Sequence, residues 1–322
     1  MNKLDQFEQL ILASWPLAIS QQVDCCVGLS GGIDSVVLLS GLAKLRTYLP
    51  IRLSAVHVNH GISPHADQWQ AFCQDLCQTL GVELLVTQLK VRKISGQGLE
   101  NSARKLRYHA FAQTGIKLIA LAHHQNDQIE TMLSQIIRGS DVHNIAAMKA
   151  YSQRQHQAFW RPLLNLPKTA IISYATTWQL PNIEDESNQN QHYLRNFLRQ
   201  QIIPQLTSYD QDAVVKLLNS LASIQQAVQL NDELAALDLK FCQQAENQLG
   251  IADFSTLSAA RQKNLLSYYI RQNNLAIPSS RQLKEFIHQI TNAAADRHPQ
   301  LKIAHNAQIA RNKHSIVLTI CQ

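Results

Sequence analysis

The chain has 322 residues, a formal net charge of +6 and an apolar fraction of 45%. This length suits two domains better than one, and the apolar fraction is that of a globular protein with a sizeable core. No apolar run approaches the roughly 18 residues of a membrane helix, and the acids Asp5 and Glu8 argue against a secretory signal. We therefore expect a cytoplasmic protein with no membrane partner.

Apolar, strand-like runs alternate with helical patterns in the first part of the chain. DCCVGL predicts a first strand, after which leucines recur at helical spacing until Pro50. The runs IRLSAVHV, VELLVTQL and IKLIALA predict three more strands, separated by helical patterns. This alternation indicates an α/β fold with a doubly wound, mostly parallel sheet, in which ligands bind beyond the carboxyl ends of the strands.

The pattern changes in the last third of the chain. A Gln-rich helical stretch is predicted over residues 212–249, followed by a helix capped by Ser258 and another that starts at PSSRQLKEF. The final residues alternate in polarity and predict a hairpin or a small sheet. We expect two domains, 1–210 and 211–322, of which the second is mainly helical and ends in a small β element.

The cysteine and charge patterns limit the kinds of site that the chain can form. The six cysteines include no C-x-x-C pair, which favours buried free thiols over a metal or redox site. Between Lys90 and Lys117, seven basic residues stand against Glu100 alone. Such an excess predicts either a phosphate-binding surface or a solvated face, and charge alone does not choose between them.

The stretch SGGIDS, residues 30–35, stands where the first strand passes into a helix. The N–H groups at a helix start can hold an anion, and adjacent glycines allow a close approach. Asp34 would repel phosphate unless a divalent cation lies between them or the carboxylate orders the N–H groups. A plain helix cap is the alternative. In this setting we predict a nucleotide site formed by Ser30, Gly31, Gly32, Ile33, Asp34 and Ser35.

Polar residues also follow the fourth strand, at the sheet edge where the glycine turn lies. Asp127 is expected to bind a cation or orient an amine, with a structural role as a first-turn helix acid as the alternative. His123 and His124 are expected either to contact ligand or to cap the helix. Further along, Arg195 and Arg199 are one helical turn apart and suit phosphate or carboxylate, with surface ion pairing as the alternative.

A basic, aromatic-edged helix face is predicted between the third and fourth strands. Leu99, Ala103, Leu106 and Ala110 form an apolar stripe, which leaves Arg104, Arg107 and Tyr108 on neighbouring faces. These side chains suit contact with phosphates or bases, and a solvated amphipathic helix is the alternative.

The glycine turn resembles the pyrophosphate-binding loop of the N-type ATP pyrophosphatases, which cleave ATP between the α and β phosphates and pass AMP to a carbonyl oxygen. Within that superfamily, further stretches resemble the tRNA(Ile)-lysidine synthetases in the family's order: VHVNHGI, ENSARKLRY, AHHQNDQIET, RGS, RPLL and DESNQNQHYLRNFLR. Together these stretches cover most of residues 25–205. Asn126 departs from the pattern, because the family usually has an acid there.

The resemblance implies a fold like that of the adenine nucleotide alpha hydrolases, with ATP and Mg²⁺ as cofactors. It implies that free L-lysine is joined to C2 of the wobble cytidine of tRNA(Ile) with a CAU anticodon, through an adenylated base, with release of AMP and PPi. The implied roles are catalysis by Asp34, Asp127, Arg107, Arg195 and Arg199, metal binding by Asp34 and Asp127, adenine contact by His57 and Asn59, and tRNA or substrate contact by Arg104, Arg107, Tyr108, His124 and Asn196.

Two other functions stay open at this point. One is a tRNA thiolase of the same superfamily, which usually needs a persulfide-bearing cysteine or a cysteine-held cluster. The other is a catalytically inactive, nucleotide-dependent RNA-binding module, for which Asn126 is the support. The length resembles the short form of the family, which lacks the last C-terminal domain. The oligomeric state, including a homodimer, stays open.

Overall fold

The computed structural model divides into two compact units, each described by itself below. The first unit comprises Met1–Ser140 and Ala147–Leu221, and the second comprises Asp141–Ala146 and Ala222–Gln322. A domain boundary between residues 210 and 211 stays a prediction. The structure describes residues 4–59, 61, 63–88, 99–154, 156–184, 186, 193–292, 297–304 and 306–320, with the side chains of 99–105 excepted.

A six-stranded sheet forms the centre of the first unit. Its strands are β1 Val23–Gly28, β2 Ile51–Asn59, β3 Glu83–Gln88, β4 Leu118–Ala120, β5 Tyr151–Arg154 and β6 Gln157–Trp160. They follow the order β3-β2-β1-β4-β6-β5, and all neighbours are parallel except β5 and β6. The predicted doubly wound, mostly parallel sheet is therefore confirmed, while the β5–β6 hairpin at its edge was not predicted.

Helices pack on both faces of this sheet. In the first unit they are α1 Gln6–Ala13, α2 Ile33–Leu45, α3 Ala66–Leu80, α4 Leu99–Gln113, α5 Gln125–Ile137, α7 Lys168–Thr177, α8 Leu194–Phe197 and α9 Ile203–Tyr209. One apolar core includes the predicted leucine series of α2, and a second, smaller core includes Phe111 of α4 and Phe159 of β6. Because β1 and β4 are buried from both sides, they read as continuous apolar runs in the sequence.

The second unit combines helices with an antiparallel sheet. Its helices are α6 Val142–Ile145, the part of α10 Ala213–Cys242 from residue 222 onward, α11 Ile251–Thr256, α12 Ala259–Gln272 and α13 Ser280–Asn292. Its five strands are β7 Gln243–Ala245, β8 Gln248–Gly250, β9 Gln300–Ala304, β10 Ala307–Arg311 and β11 Ser315–Ile320, in the order β7-β8-β11-β10-β9. The predicted helical domain with a small β element is confirmed.

One boundary in this unit differs from the prediction. The long helix ends at Cys242 instead of continuing to Leu249, and the residues after it form the β7–β8 hairpin. Asn247 takes a left-handed conformation at φ 61° in the turn, and Leu249 is fully buried in the core of the unit. A buried apolar residue on a strand therefore outweighs the helical propensity of the glutamines. Ser258 caps α12 as predicted, accepting the Arg261 N–H at 3.4 Å.

Among the helices of the described part of the chain, none is long and apolar enough to cross a membrane.

Candidate active site at the sheet edge

The glycine turn joins β1 to α2 at the carboxyl edge of the central strands. Leu29 still pairs with β2, donating its N–H to the Val56 carbonyl oxygen at 2.9 Å. The Ser35 hydroxyl receives the Ser30 N–H at 3.2 Å and lies 3.1 Å from the Ser30 hydroxyl. Because α2 starts directly after Gly32, the positive end of its dipole lies at the turn. The two predicted serines therefore fix the turn at a helix start.

Gly31 is the position in this turn that requires glycine. Its φ is +87°, and its carbonyl oxygen accepts the Ile183 N–H at 2.9 Å. A Cβ at this position would lie 2.7 Å from Cδ1 of Ile183. Any side chain here would therefore strain the backbone and also push against Ile183.

Gly31→Ala is expected to lower stability by about 1–2 kcal/mol and to weaken nucleotide binding about tenfold, because both the backbone and the Ile183 contact must shift. Gly115→Ala is the matched control, since Gly115 has a φ of +69° but no atom within 4 Å of an added Cβ. Thermal unfolding and calorimetric titration with α,β-methylene-ATP measure the two effects. Equal nucleotide affinity in the two variants would place the phosphate site elsewhere.

The residues predicted to face adenine lie at the carboxyl end of β2 and are buried. His57 Nδ1 lies 2.9 Å from the Leu29 carbonyl oxygen, so this nitrogen carries the proton, and burial lowers the pKa of the imidazole. The Asn59 amide donates to Asp67 at 3.0 Å and accepts the Gly61 N–H at 3.0 Å. His57 thus stabilises the backbone beside the turn and Asn59 the backbone that follows β2, and adenine contact stays a prediction.

Asp34 lies in the first turn of α2 and is paired with a cation. The Lys168 ammonium is 2.5 Å from Asp34 Oδ1, and Nε2 of His124 is 3.8 Å from the same oxygen. The side chains of Asp34 and Lys168 are 33% and 31% exposed, so water and small solutes reach this pair. The first predicted acid therefore lies where α2, α5 and α7 all begin.

His124 and Asp127 cap the start of α5 together. The Asp127 carboxylate accepts the His124 N–H at 2.9 Å, and His124 Nδ1 accepts the Asn126 N–H at 3.2 Å. Burial lowers the pKa of His124, so the ring is neutral at neutral pH and carries its proton on Nε2. Nε2 lies 3.5 Å from Asp127 and 3.8 Å from Asp34. The predicted capping role is confirmed, and the same ring brings the two predicted acids together.

Asp127 is held as a carboxylate. Burial by itself would raise its pKa, but the positive charge that the His124 and His123 rings carry at acid pH, the His124 N–H and the Arg199 guanidinium together lower it. The Arg199 Nη2 atom is 3.4 Å from Asp127 Oδ1. Asp127 therefore presents a negative charge at the sheet edge at neutral pH.

Arg199 forms a two-point ion pair with a buried acid that lies one turn after Asp127 on α5. Its Nε and Nη2 atoms donate to the two carboxylate oxygens of Glu130 at 2.6 and 3.0 Å. Glu130 is fully buried, and this burial raises the pKa of its carboxyl against the opposing effect of Arg199. Burial also opposes the charge on Arg199, but Glu130 and Asp127 outweigh it and raise the pKa of the guanidinium. Arg199 therefore forms an ion pair, as the alternative predicted, but its partner is a buried acid and not a surface one.

The segment that carries Arg199 has an irregular backbone. Leu198–Ile202 form a single π-helical turn between α8 and α9, and Pro204 near the start of α9 has no N–H to continue a regular ladder. Arg195 and Arg199 consequently contact neighbouring residues of α5, with Arg195 donating to the Thr131 hydroxyl at 2.9 Å. A joint role for the two arginines toward phosphate stays a prediction.

The predicted substrate-contact residues are distributed over α4 and α8. Arg107 is exposed, whereas the Tyr108 ring is half-buried against Phe111 and Phe159, with centroids 5.9 and 5.2 Å apart. Asn196 is half-buried in α8. The Arg104 side chain lies outside the described residues.

The sequence analysis did not identify two charged residues of this edge. Glu130 follows Asp127 at i+3 on the same helix, and this spacing was the signal that could have identified it. Lys168 is the first residue of α7, after Pro167, and only the tertiary fold brings it to Asp34.

Comparison with known proteins gives two separate family matches, one in each part of the chain. A family model described as a PP-loop domain, a type of ATP-binding domain, matches residues 3–206. A second, described as a TilS substrate binding domain, matches residues 249–316. Among solved structures, the U34-tRNA thiolase NcsA from Methanococcus maripaludis is similar in fold, with a TM-score of 0.57 at 15% identity over 69% of this chain and 78% of that one.

Curated relatives cover most of the chain. The tRNA(Ile)-lysidine synthase of Nitrosomonas europaea is 38% identical over 84% of this chain, which spans 60% of that protein. The proteins of the same name from Actinobacillus pleuropneumoniae and Haemophilus ducreyi are each 37% identical over 91% and 98% of this chain, which spans 69% and 72% of their lengths. The chain therefore belongs to the tRNA(Ile)-lysidine synthase family.

Proposed function

We propose that the protein ligates free L-lysine to C2 of the wobble cytidine in tRNA(Ile) with a CAU anticodon, consuming ATP. The observation that carries this proposal is the convergence of Asp34 and Asp127 on His124, beside a glycine turn at a helix start. Family membership narrows the chemistry, because relatives that share both matched regions carry the name tRNA(Ile)-lysidine synthase. The site supplies charges suited to an adenylate transfer.

In the first half-reaction, the C2 carbonyl oxygen of cytidine attacks the α-phosphate of ATP in line, and PPi leaves. The leaving diphosphate would rest on the turn from Ser30 to Ser35, where the N–H groups of the α2 start and two hydroxyls can donate to it. Arg199, charged and fixed by Glu130, would offset the negative charge that develops during transfer. Positioning and charge neutralisation would provide most of the acceleration.

A divalent cation would bind this site most tightly when phosphate completes its coordination shell. Among the described residues, no group of three His, Cys, Asp or Glu side chains could hold a metal ion alone. Mg²⁺ commonly takes one or two carboxylates and completes its shell with substrate phosphates and water. Asp34 and Asp127 would hold it, and the bound cation would supply charge neutralisation to the phosphates.

In the second half-reaction, the ε-amine of lysine attacks C2 and AMP departs, which leaves lysidine. The amine must lose its proton before it attacks. Asp127 is our candidate for orienting it, since its carboxylate is ionised and lies at the edge of the sheet. A carboxylate with a lowered pKa is a weak base, so orientation contributes more than proton removal.

The tRNA would lie along basic surfaces of the first unit. Arg107 is exposed on α4, and Arg154 lies with its guanidinium 5.3 Å from the Tyr108 ring. Contacts with phosphates make RNA affinity fall steeply with salt. We also assign tRNA contacts to Arg104 and Asn196 and, separately, to the matched substrate-binding region of the second unit.

The thiolase alternative is disfavoured by the described cysteines. Cys25, Cys26, Cys73, Cys77 and Cys242 are all buried and free. Burial raises the pKa of Cys26 and Cys73 to about 12 and that of Cys77 and Cys242 to about 11. A sulfur carrier needs an accessible thiolate, which such thiols do not provide at neutral pH.

Purified protein given ATP, lysine and unmodified CAU-anticodon tRNA is expected to release AMP in a lysine-dependent reaction and to add the mass of a lysine residue to the tRNA. Thin-layer chromatography of labelled ATP and mass spectrometry of the digested tRNA measure the two products. Omission of each component in turn is the control. Equal AMP release with glutamine or a sulfur donor in place of lysine would contradict the proposal, and nucleotide binding without turnover would favour the inactive RNA-binding module.

A further inference from the structure

Lys168 is a charged residue of the sheet edge to which the proposed reaction gives no role. It is the first residue of α7, and its ammonium contacts Asp34 Oδ1 at 2.5 Å. A positive charge in the first turn of a helix is disfavoured by the helix dipole. The lysine therefore occupies a position that α7 itself does not favour, and the compensating partner is an acid of another helix.

The acid that Lys168 contacts is the one proposed to hold the cation of ATP–Mg²⁺. An ammonium and a divalent cation repel each other strongly at contact distance and compete for the same carboxylate oxygen. When Asp34 turns to a cation, the ammonium must leave Oδ1. Its four-carbon stem is flexible and its pair is about one-third exposed, so the head can move while the helix start stays fixed.

The other charges at this edge limit where the ammonium can go. The carboxylates of Glu130 and Asp127 are already paired with Arg199. The neutral His124 ring lies between Asp127 and Asp34. The nucleotide brings the new negative charge to this place, at the neighbouring turn. The phosphates are therefore the available partner for a displaced Lys168.

We propose that Lys168 is an exchangeable counter-ion, which neutralises Asp34 in the absence of nucleotide and binds the nucleotide's phosphates once a divalent cation takes Asp34. The inference rests on the proposed function only for the binding of ATP–Mg²⁺ at this turn. It predicts opposite effects of removing the ammonium. A divalent cation alone gains access to Asp34, whereas the nucleotide loses a phosphate contact.

The test compares Lys168→Met, Lys168→Gln and Lys168→Arg. Binding of Mn²⁺ alone is followed by electron paramagnetic resonance, and binding of α,β-methylene-ATP with Mg²⁺ by calorimetry. In the Met and Gln variants we expect Mn²⁺ to bind about tenfold more tightly and the nucleotide about tenfold more weakly, as for one ion pair gained or lost. The Arg variant keeps the charge and is expected to stay within about threefold of the parent in both assays.

Lys44→Met is the matched control. Lys44 also pairs with a carboxylate in the first unit, with its Nζ 3.0 Å from Glu8, but it lies in the last turn of α2. Neither affinity is expected to change in this variant. Circular dichroism and thermal unfolding establish that each variant is folded.

Two results would overturn the inference. One is a Mn²⁺ affinity that falls or stays constant when the ammonium is removed, and the other is an unchanged nucleotide affinity. If the parent protein binds no ATP analogue at all, the proposed function fails, whereas the Mn²⁺ comparison still reports separately on the pairing of Lys168 with Asp34.

Discussion

Asp34→Asn is expected to lower the rate of lysine-dependent AMP release by about 100-fold or more, because removal of one preorganised charge from a phosphoryl-transfer site has effects of this size. The substitution keeps the shape of the side chain at the start of α2 but removes the negative charge that faces Lys168 and His124. Single-turnover formation of labelled AMP at saturating tRNA measures the effect.

Asp24→Asn provides the matched control for this variant. Asp24 is half-exposed on β1 and pairs with Arg52 at 2.6 Å. The control variant therefore loses a surface ion pair that contributes little to stability. We expect Asp24→Asn to keep wild-type turnover, and we expect both variants to be folded. If Asp34→Asn retains full turnover, the role given to this carboxylate on the metal side of the site is wrong.

Arg199→Ala is expected to abolish turnover and to destabilise the fold, because it leaves the fully buried Glu130 carboxylate without its cation. Removing one partner of a buried pair costs about 3–5 kcal/mol, and we expect about 2 kcal/mol here because Arg199 is 45% exposed. Chemical denaturation at neutral pH measures the loss. The double variant Arg199→Ala/Glu130→Leu is expected to recover most of the stability but none of the activity.

The stability loss of Arg199→Ala depends on pH in a defined direction. The pKa of Glu130 is raised in the folded protein, so its contribution to stability is complete below the ordinary carboxyl range and is lost as pH rises through the raised value. Without Arg199 this pKa rises further. The difference in unfolding free energy between variant and parent should therefore be smaller at pH 5 than at pH 8. A difference independent of pH would show that Glu130 is not the group left uncompensated.

Asn126 gives no reason to expect an inactive protein. Its backbone N–H donates to His124 Nδ1, and the neighbouring Asp127 retains its carboxylate at the sheet edge. Glu130 does not replace the absent acid, because both of its oxygens are bound by Arg199. In our proposal, the negative charge offered to a cation comes from Asp34 and Asp127.

The sequence by itself determined the local features of the site. Hydrophobic periodicity and apolar runs predicted β1, α2 and the parallel sheet, and a glycine turn between strand and helix predicted an anion site, since these follow from local backbone and side-chain geometry. The positions of His124 and Asp127 at the start of α5 followed for the same reason. Motif order then supplied the family.

Only the tertiary structure decided which charges meet. Lys168 and Asp34 are 134 residues apart, and Arg199 and Glu130 are 69 apart, so no local pattern relates them. The π-helical turn that directs Arg199 to Glu130 depends on how α8 and this turn pack on α5, and the β7–β8 hairpin depends on burial of Leu249. Pairing energies of this kind arise from proximity and burial, which are properties of the folded chain and not of its local sequence.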